Sequence, residues 1–143
     1  MAKMKSILVA VDGSETSDRA VQHAIDLIAS GSAAELHLIN VQPALSGAVA
    51  AFVSRDQIDQ HHREEGEKAL ASEVALAKKA NVPAKVHIGV GRQGEVVADF
   101  ARKLDAGLVV LGTRGHTGLA GVLLGSVAQD VIAHSKVPVT LVK

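Results

Sequence analysis

The sequence predicts an α/β fold, a doubly wound five-stranded parallel sheet in the order 3-2-1-4-5 with helices on both faces. Three observations lead there. Short apolar runs alternate strictly with longer segments of helical period, β-α-β-α-β-α-β-α-β, which implies right-handed crossovers between parallel strands. The hydrophobic fraction, 48%, is supplied almost entirely by Ala, Val, Leu and Ile, with two Phe and no Trp or Tyr; strands buried on both faces are aliphatic in this way. The length, 143 residues, is that of one domain with one core, so residues 1–143 are expected to form a single unit.

Each element has its own signal. Ser6 to Val11 forms the first strand, its unbroken Ile7–Val11 run suited to a central, doubly covered position. Asp12-Gly13-Ser14 turns the chain, and Ser14 can cap a helix running to about Ser30. Val21, Ala24, Ile25 and Ile28 give that helix a buried stripe. Leu36 to Val41 is the second strand, and Pro43 to Ser54, without a clear period, is the least regular stretch. Ser54-Arg55-Asp56-Gln57 fits a capping box and opens a long helix to about Ala80. Leu70, Val74 and Ala77 form its inner face, with Glu64, Glu65, Glu67, Lys68, Lys78 and Lys79 in solvent. After Val82-Pro83 come a third strand (84–89), a helix (95–103), a fourth strand (108–112), a helix (127–134) and a last strand (138–143).

Composition excludes several functions. Fifteen basic and fifteen acidic side chains cancel, so there is no general attraction for nucleic acid or an anionic membrane. The scarcity of aromatic rings counts against stacking platforms for single strands. Without cysteine there is no disulfide framework, thiolate nucleophile or Cys-based metal site. Lys3 and Lys5 precede an apolar run, but that run ends at Asp12 and is too short for a signal sequence. No stretch approaches the roughly 20 apolar residues of a membrane span. A soluble cytoplasmic protein is expected.

In doubly wound folds ligands sit beyond the carboxyl ends of the strands, where the strand order reverses. For this order the crevice lies between strands one and four, facing the loops Ala10–Ser14 and Gly112–Ser126. The second loop reads Gly112-Thr-Arg-Gly115-His-Thr-Gly118-Leu-Ala-Gly121-Val-Leu-Leu-Gly125-Ser126. Glycines remove the Cβ that would keep a phosphate from backbone N–H groups. Gly125-Ser126 falls just before the Val127 helix, where free N–H groups and the helix dipole favour an anion. Ser126 adds a hydroxyl and Arg114 a charge. These features favour phosphate binding over a loop that glycines merely keep flexible.

Gly112-x-x-Gly115, nine residues, then Gly125-Ser126 matches the G-2x-G-9x-G-(S/T) motif of ATP-binding universal stress proteins. The chain resembles that family throughout, including Ile7-Leu-Val-Ala-Val-Asp-Gly-Ser14 and Val137-Pro-Val-Thr-Leu-Val142. The resemblance implies the nucleotide-binding branch, with ATP as ligand and Mg2+ held by its phosphates. Carried over position by position, it sets Ala10, Val11, Asp12, Gly13 and Ser14 along the adenosine, and the backbone of Val41 at the adenine edge. Gly112, Thr113, Arg114, Gly115, His116, Gly125, Ser126 and Val127 would hold ribose and phosphates. For Asp12, turn chemistry in Asp-Gly-Ser is a sufficient explanation without a ligand.

A rival motif is present. Gly89-Val-Gly91-Arg-Gln-Gly94 is a literal dinucleotide fingerprint. It follows an edge strand instead of the first strand, and no acidic residue ends the next strand, Leu111-Gly112. It is read as a turn, lying at most against the triphosphate end. Catalytic equipment is sparse. There is no P-loop, and His61-His62 point about 100° apart on a helix and cannot share one ion. His23, His37, His87 and His134 are scattered, and no metal site is expected. The leading reading is an ATP-dependent regulatory switch in which ligand reorganises 43–54 and 116–124 and a protein partner receives the output. The alternatives are a slow ATP hydrolase or autophosphorylating protein, with Thr113, Thr117 and Ser126 near the phosphates, and a chaperone-like partner without nucleotide. The resemblance also implies a homodimer through the last strand, Val139 to Val142, whose apolar edge would otherwise be an aggregation hazard.

Overall fold

The structure, a computed structural model, describes residues 3–113 and 124–143. At its centre lies β1 (Met4–Ala10), which can be central because it is apolar on both sides. Ile7 and Val9 face one layer of helices and Leu8 the other, all with no exposed surface. β2 (Ala33–Gln42) and β4 (Ala106–Gly112) flank it, and β3 (Ala84–Val90) and β5 (Val139–Val142) form the edges. Every pairing is parallel and the order is β3-β2-β1-β4-β5, as the alternation of elements predicts.

α1 (Glu15–Ala29) and α3 (Arg55–Lys79) cover one face. α4 (Gln93–Lys103) and α5 (Ser126–His134) cover the other. α1 begins where the Ser14 hydroxyl accepts from the Ser17 N–H, and α3 where Ser54 and Gln57 exchange both bonds of a capping box. The irregular stretch after β2 holds a single helical turn, α2 (Gly47–Ala50), capped by Ser46. Among the described residues no helix is long and apolar enough to cross a membrane.

The inner face of α3 departs from expectation. Its buried row is His62, Gly66, Leu70, Glu73 and Ala77, while Val74 turns outward. Two members of that row are polar, so the apolar residues alone do not define the stripe. His62 is satisfied by the Pro43 carbonyl at 3.1 Å. The Glu73 side chain has neither exposed surface nor, on either oxygen, a hydrogen-bond partner among the described residues.

Candidate functional site

The crevice is built from the chain turns that follow β1 and β4. Leaving β1, Val11 donates its N–H to the Ile39 carbonyl at 2.8 Å and accepts from Asn40 Nδ2 at 2.8 Å. This holds the ends of β1 and β2 together past the last ladder bond. Asp12 then closes the turn on itself: Oδ1 accepts from the Ser14 N–H at 2.9 Å and from Ser17 Oγ at 2.7 Å. Gly13 sits at φ 81°, a left-handed value glycine adopts without strain. One oxygen of Asp12 is therefore committed to the turn, as the turn reading required.

On the other side, β4 delivers Gly112 against the first turn of α1. A Cβ there would lie 2.6 Å from Thr16 Oγ1, so only glycine lets the strand end this close to the helix. Thr113, nearly buried, donates its N–H to the Val142 carbonyl at 2.9 Å and accepts from the Gly125 N–H at 2.6 Å. That second bond pins the start and finish of the glycine segment together. Gly125 is the N-cap of α5, with Ser126 and Val127 its first residues, and among the described residues no side chain caps the helix. Ser126 is thus the first helical residue, one position ahead of the expected start. Arg114, Gly115, His116, Thr117, Gly118 and Gly121 lie outside the described residues.

Beside this crevice opens a cavity of about 410 Å³, lined by Asp12, Gly13, Asn40, Val41, Gln42, Glu65, Lys68, Ala69 and Gln93. Of the residues singled out in the sequence, it brings together Asp12, Gly13 and Val41. Ala10, Val11 and Ser14, at the end of β1, and Gly112, Thr113, Gly125, Ser126 and Val127, beyond β4 and at the head of α5, are not among its lining residues. The carbonyl of Val41 already accepts from Gln93 Nε2 at 3.0 Å, so one of its lone pairs is engaged before any ligand arrives.

Sequence reasoning missed Asn40, Gln42, Gln93 and the α3 wall. Asn40 carried a signal, being a polar residue inside the apolar run Leu38-Ile39-Asn40-Val41. Glu65 and Lys68 read as solvated and are exposed, but they stand on the rim of the cavity.

The electrostatics are set from below. Burial, reinforced by the neighbouring Asp18 and by Asp12, pushes the Glu73 carboxyl up to about 7. Asp18 is bonded by Ser72 Oγ at 2.9 Å. Toward the β3 edge, His37 Nδ1 and His87 Nε2 meet at 2.9 Å with their rings stacked. Burial lowers both imidazoles; His87 depresses the charged form of His37 further, and Lys85 that of His87.

The fingerprint Gly89–Gly94 has a different role. Gly94 lies so near α5 that a Cβ would meet the Asp130 carbonyl oxygen at 2.4 Å. The N-terminus of α4 is occupied by Asp130, whose Oδ2 accepts the Gly94 N–H at 2.6 Å and whose Oδ1 pairs with Arg92 at 2.9 Å. A carboxylate of the chain itself fills the place of a pyrophosphate.

These features define an α/β domain with a crevice at the switch point of a parallel sheet. The profile of the "Universal stress protein family" matches residues 3–143, and the chain belongs to that family. Universal stress protein MJ0531 of Methanocaldococcus jannaschii is 34% identical over 141 residues, spanning 97% of this chain and 82% of that protein. Among solved structures, the protein MJ0577 superposes with a TM-score of 0.83 at 27% identity, over 99% of this chain and 97% of that one. A universal stress protein in complex with cAMP superposes with a TM-score of 0.74 at 26% identity, over 99% of each.

Proposed function

We propose that this single-domain protein is an ATP-binding regulator of the stress response, acting in the cytoplasm as a homodimer whose nucleotide state is read by a protein partner. The observation that carries the reading is the N-terminus of α5. It opens at Gly125, where among the described residues no side chain bonds its first N–H groups, is tied by a 2.6 Å bond to Thr113, and stands across the switch point from the Asp12–Ser14 turn. Free N–H groups and the helix dipole at such a place suit a phosphate. The cAMP complex of a relative supports an adenine nucleotide as the ligand class.

In this reading Gly112, Thr113, Arg114, Gly115, His116, Gly125, Ser126 and Val127 hold the ribose and phosphates. Ala10, Val11, Asp12, Gly13 and Ser14 border the nucleoside, and Val41 meets the base. Magnesium travels on the phosphates. Among the described residues no three His, Cys, Asp or Glu side chains gather to hold a metal, so the ion's protein ligands are not drawn from a preformed cage there. The dimer joins through β5, which lies at the open edge of the sheet with Leu141 exposed.

The test is to identify the nucleotide released from purified protein, then to titrate ATP–Mg2+ by calorimetry against wild type and Gly125→Val. The expected result is endogenous adenine nucleotide and a binding heat that the variant loses. A wild-type protein that arrives empty and gives no heat overturns the reading. For the assembly, light scattering on Leu141→Glu should show a monomer where the wild type is a dimer.

A further inference from the structure

The sheet has two open edges, and β3, with seven residues against four in β5, is the longer. The Gly91 N–H bonds the Gln42 carbonyl at 2.9 Å, so the odd-numbered residues of β3 turn their backbone groups toward β2. Backbone direction alternates along a strand. Val86, Ile88 and Val90 therefore aim their N–H and C=O groups outward, where among the described residues no other strand lies. Side chains alternate too, and the same three residues share the sheet face that packs on α3. Ile88 tucks against Gly66, where a Cβ would meet its Cδ1 at 2.7 Å. Val86 and Val90 stay 42% and 46% exposed. Between the end of α3 and the start of β3 runs a groove of about 370 Å³, whose lining includes Val74, Ala77, Val82, Ala84 and Lys78.

Sheets commonly blunt such an edge with a charged side chain reaching across it. Lys85 of β3 does not serve: it lies on the opposite face and is bonded back to Glu35 of β2 at 2.6 Å. An open backbone edge accepts an extended chain, and a row of exposed valines beside it accepts apolar side chains at alternate positions. The charge of the groove then sets the sign of the partner. Lys78 lines it and Lys79 stands next in the last turn of α3, and neither forms an ion pair among the described residues. We infer that the β3 edge is a docking site for an extended segment of a partner protein, apolar at alternate positions and carrying a carboxylate that seats at Lys78. The segment would join the sheet as a sixth strand. The inference does not depend on a nucleotide occupying the crevice.

The probe is the peptide acetyl-Glu-Glu-Val-Thr-Val-Thr-Val-Glu-Glu-amide, with carboxylates at both ends so that either strand direction brings one to Lys78. Its counterpart with Lys in place of Glu is the control. Each is titrated onto the full chain, with affinity and amide exchange followed by NMR. The acidic peptide should bind at least tenfold more tightly than the basic one. It should slow exchange at Val86, Ile88 and Val90 and leave Lys85, His87 and Gly89, already bonded to β2, unchanged. Val86→Pro removes one outward N–H at a place where an edge strand tolerates proline, and should weaken binding about tenfold or more in a protein that thermal melts show to be folded. Lys78→Glu with Lys79→Glu, on the surface of α3, should reverse the preference in favour of the basic peptide. No slowing at the three outward amides overturns the inference, as does a preference that the charge reversal leaves unchanged. Light scattering that shows a wild-type assembly dissolved by Val86→Pro also overturns it, and gives the edge to a second copy of the chain.

Discussion

Two turns of this molecule run from a parallel strand into a helix through closely spaced glycines, and they have opposite fates. After β3, the N-terminus of α4 is filled by Asp130, which takes the Gly94 N–H at 2.6 Å and the Arg92 guanidinium at 2.9 Å. After β4, the N-cap of α5 is Gly125, which has no side chain to offer, and among the described residues none bonds the first N–H groups of that helix. Burial alone would raise the Asp130 carboxyl, but the Gly94 N–H and Arg92 outweigh it and hold the group below its ordinary value. A helix N-terminus attracts an anion in either case; what matters is whether the fold has already supplied one. The glycine pattern that looks most like a dinucleotide motif is the one that packs two helices together.

That contrast can be broken at several points. The largest effect is expected from Gly94→Val. Any Cβ at that position collides with the backbone of Asp130, so α4 and α5 must separate, at a cost of about 4 kcal/mol measured by urea denaturation. Retention of wild-type stability would show that the close approach of the two helices is not needed.

Glu73 is the next test, because it is a carboxyl to which no comparable donors have been given. It is raised to about 7 by burial and by Asp18 beside it. Between the ordinary value near 4.5 and about 7 the folded state binds more protons than the unfolded state. Stability therefore falls as pH rises through that window, and the full penalty is present above it. Glu73→Gln should gain on the order of 2–3 kcal/mol at pH 8 and almost nothing at pH 4. Denaturation at the two pH values checks this, and equal effects at both would refute the account.

Gly125→Val is expected to be milder for the fold and selective for the ligand. Its backbone lies at φ −68°, open to any residue, so the melting temperature should barely move. Affinity for ATP should drop about a hundredfold, or roughly 2.7 kcal/mol. The smallest effect is that of Asp130→Asn, which keeps the shape of the plug and removes its charge. It should cost about 1 kcal/mol and create no second nucleotide site. Calorimetry showing two sites in that variant would mean that charge alone excludes a phosphate from α4.

The same contrast explains what could be read from the sequence. The succession of strands and helices, the buried stripe of α1 and the caps at Ser14 and Ser54 were legible because each depends on neighbours within a few residues. The glycine loop stands out in the sequence because the spacing Gly112, Gly115, Gly125 is a local pattern. The plug was not, since Asp130 reaches Gly94 across 36 positions of chain. Nor was the inner row of α3. Val74 fits a helical stripe as well as Glu73 does, and only the way α3 lies on the sheet and α1 decides which of the two adjacent residues is turned inward. Gln93 escaped for a third reason: it follows β3 and α3 in sequence, yet its side chain comes to rest on the end of β2.

Thr113 has a consequence of its own. Its N–H belongs to β5 through Val142, and its carbonyl belongs to the head of α5 through Gly125. One peptide unit at either side of a single residue therefore rivets the outermost strand to the start of the helix. A push on the margin of the sheet and a tug at that helix are felt at the same rivet, with no long relay of side chains between them.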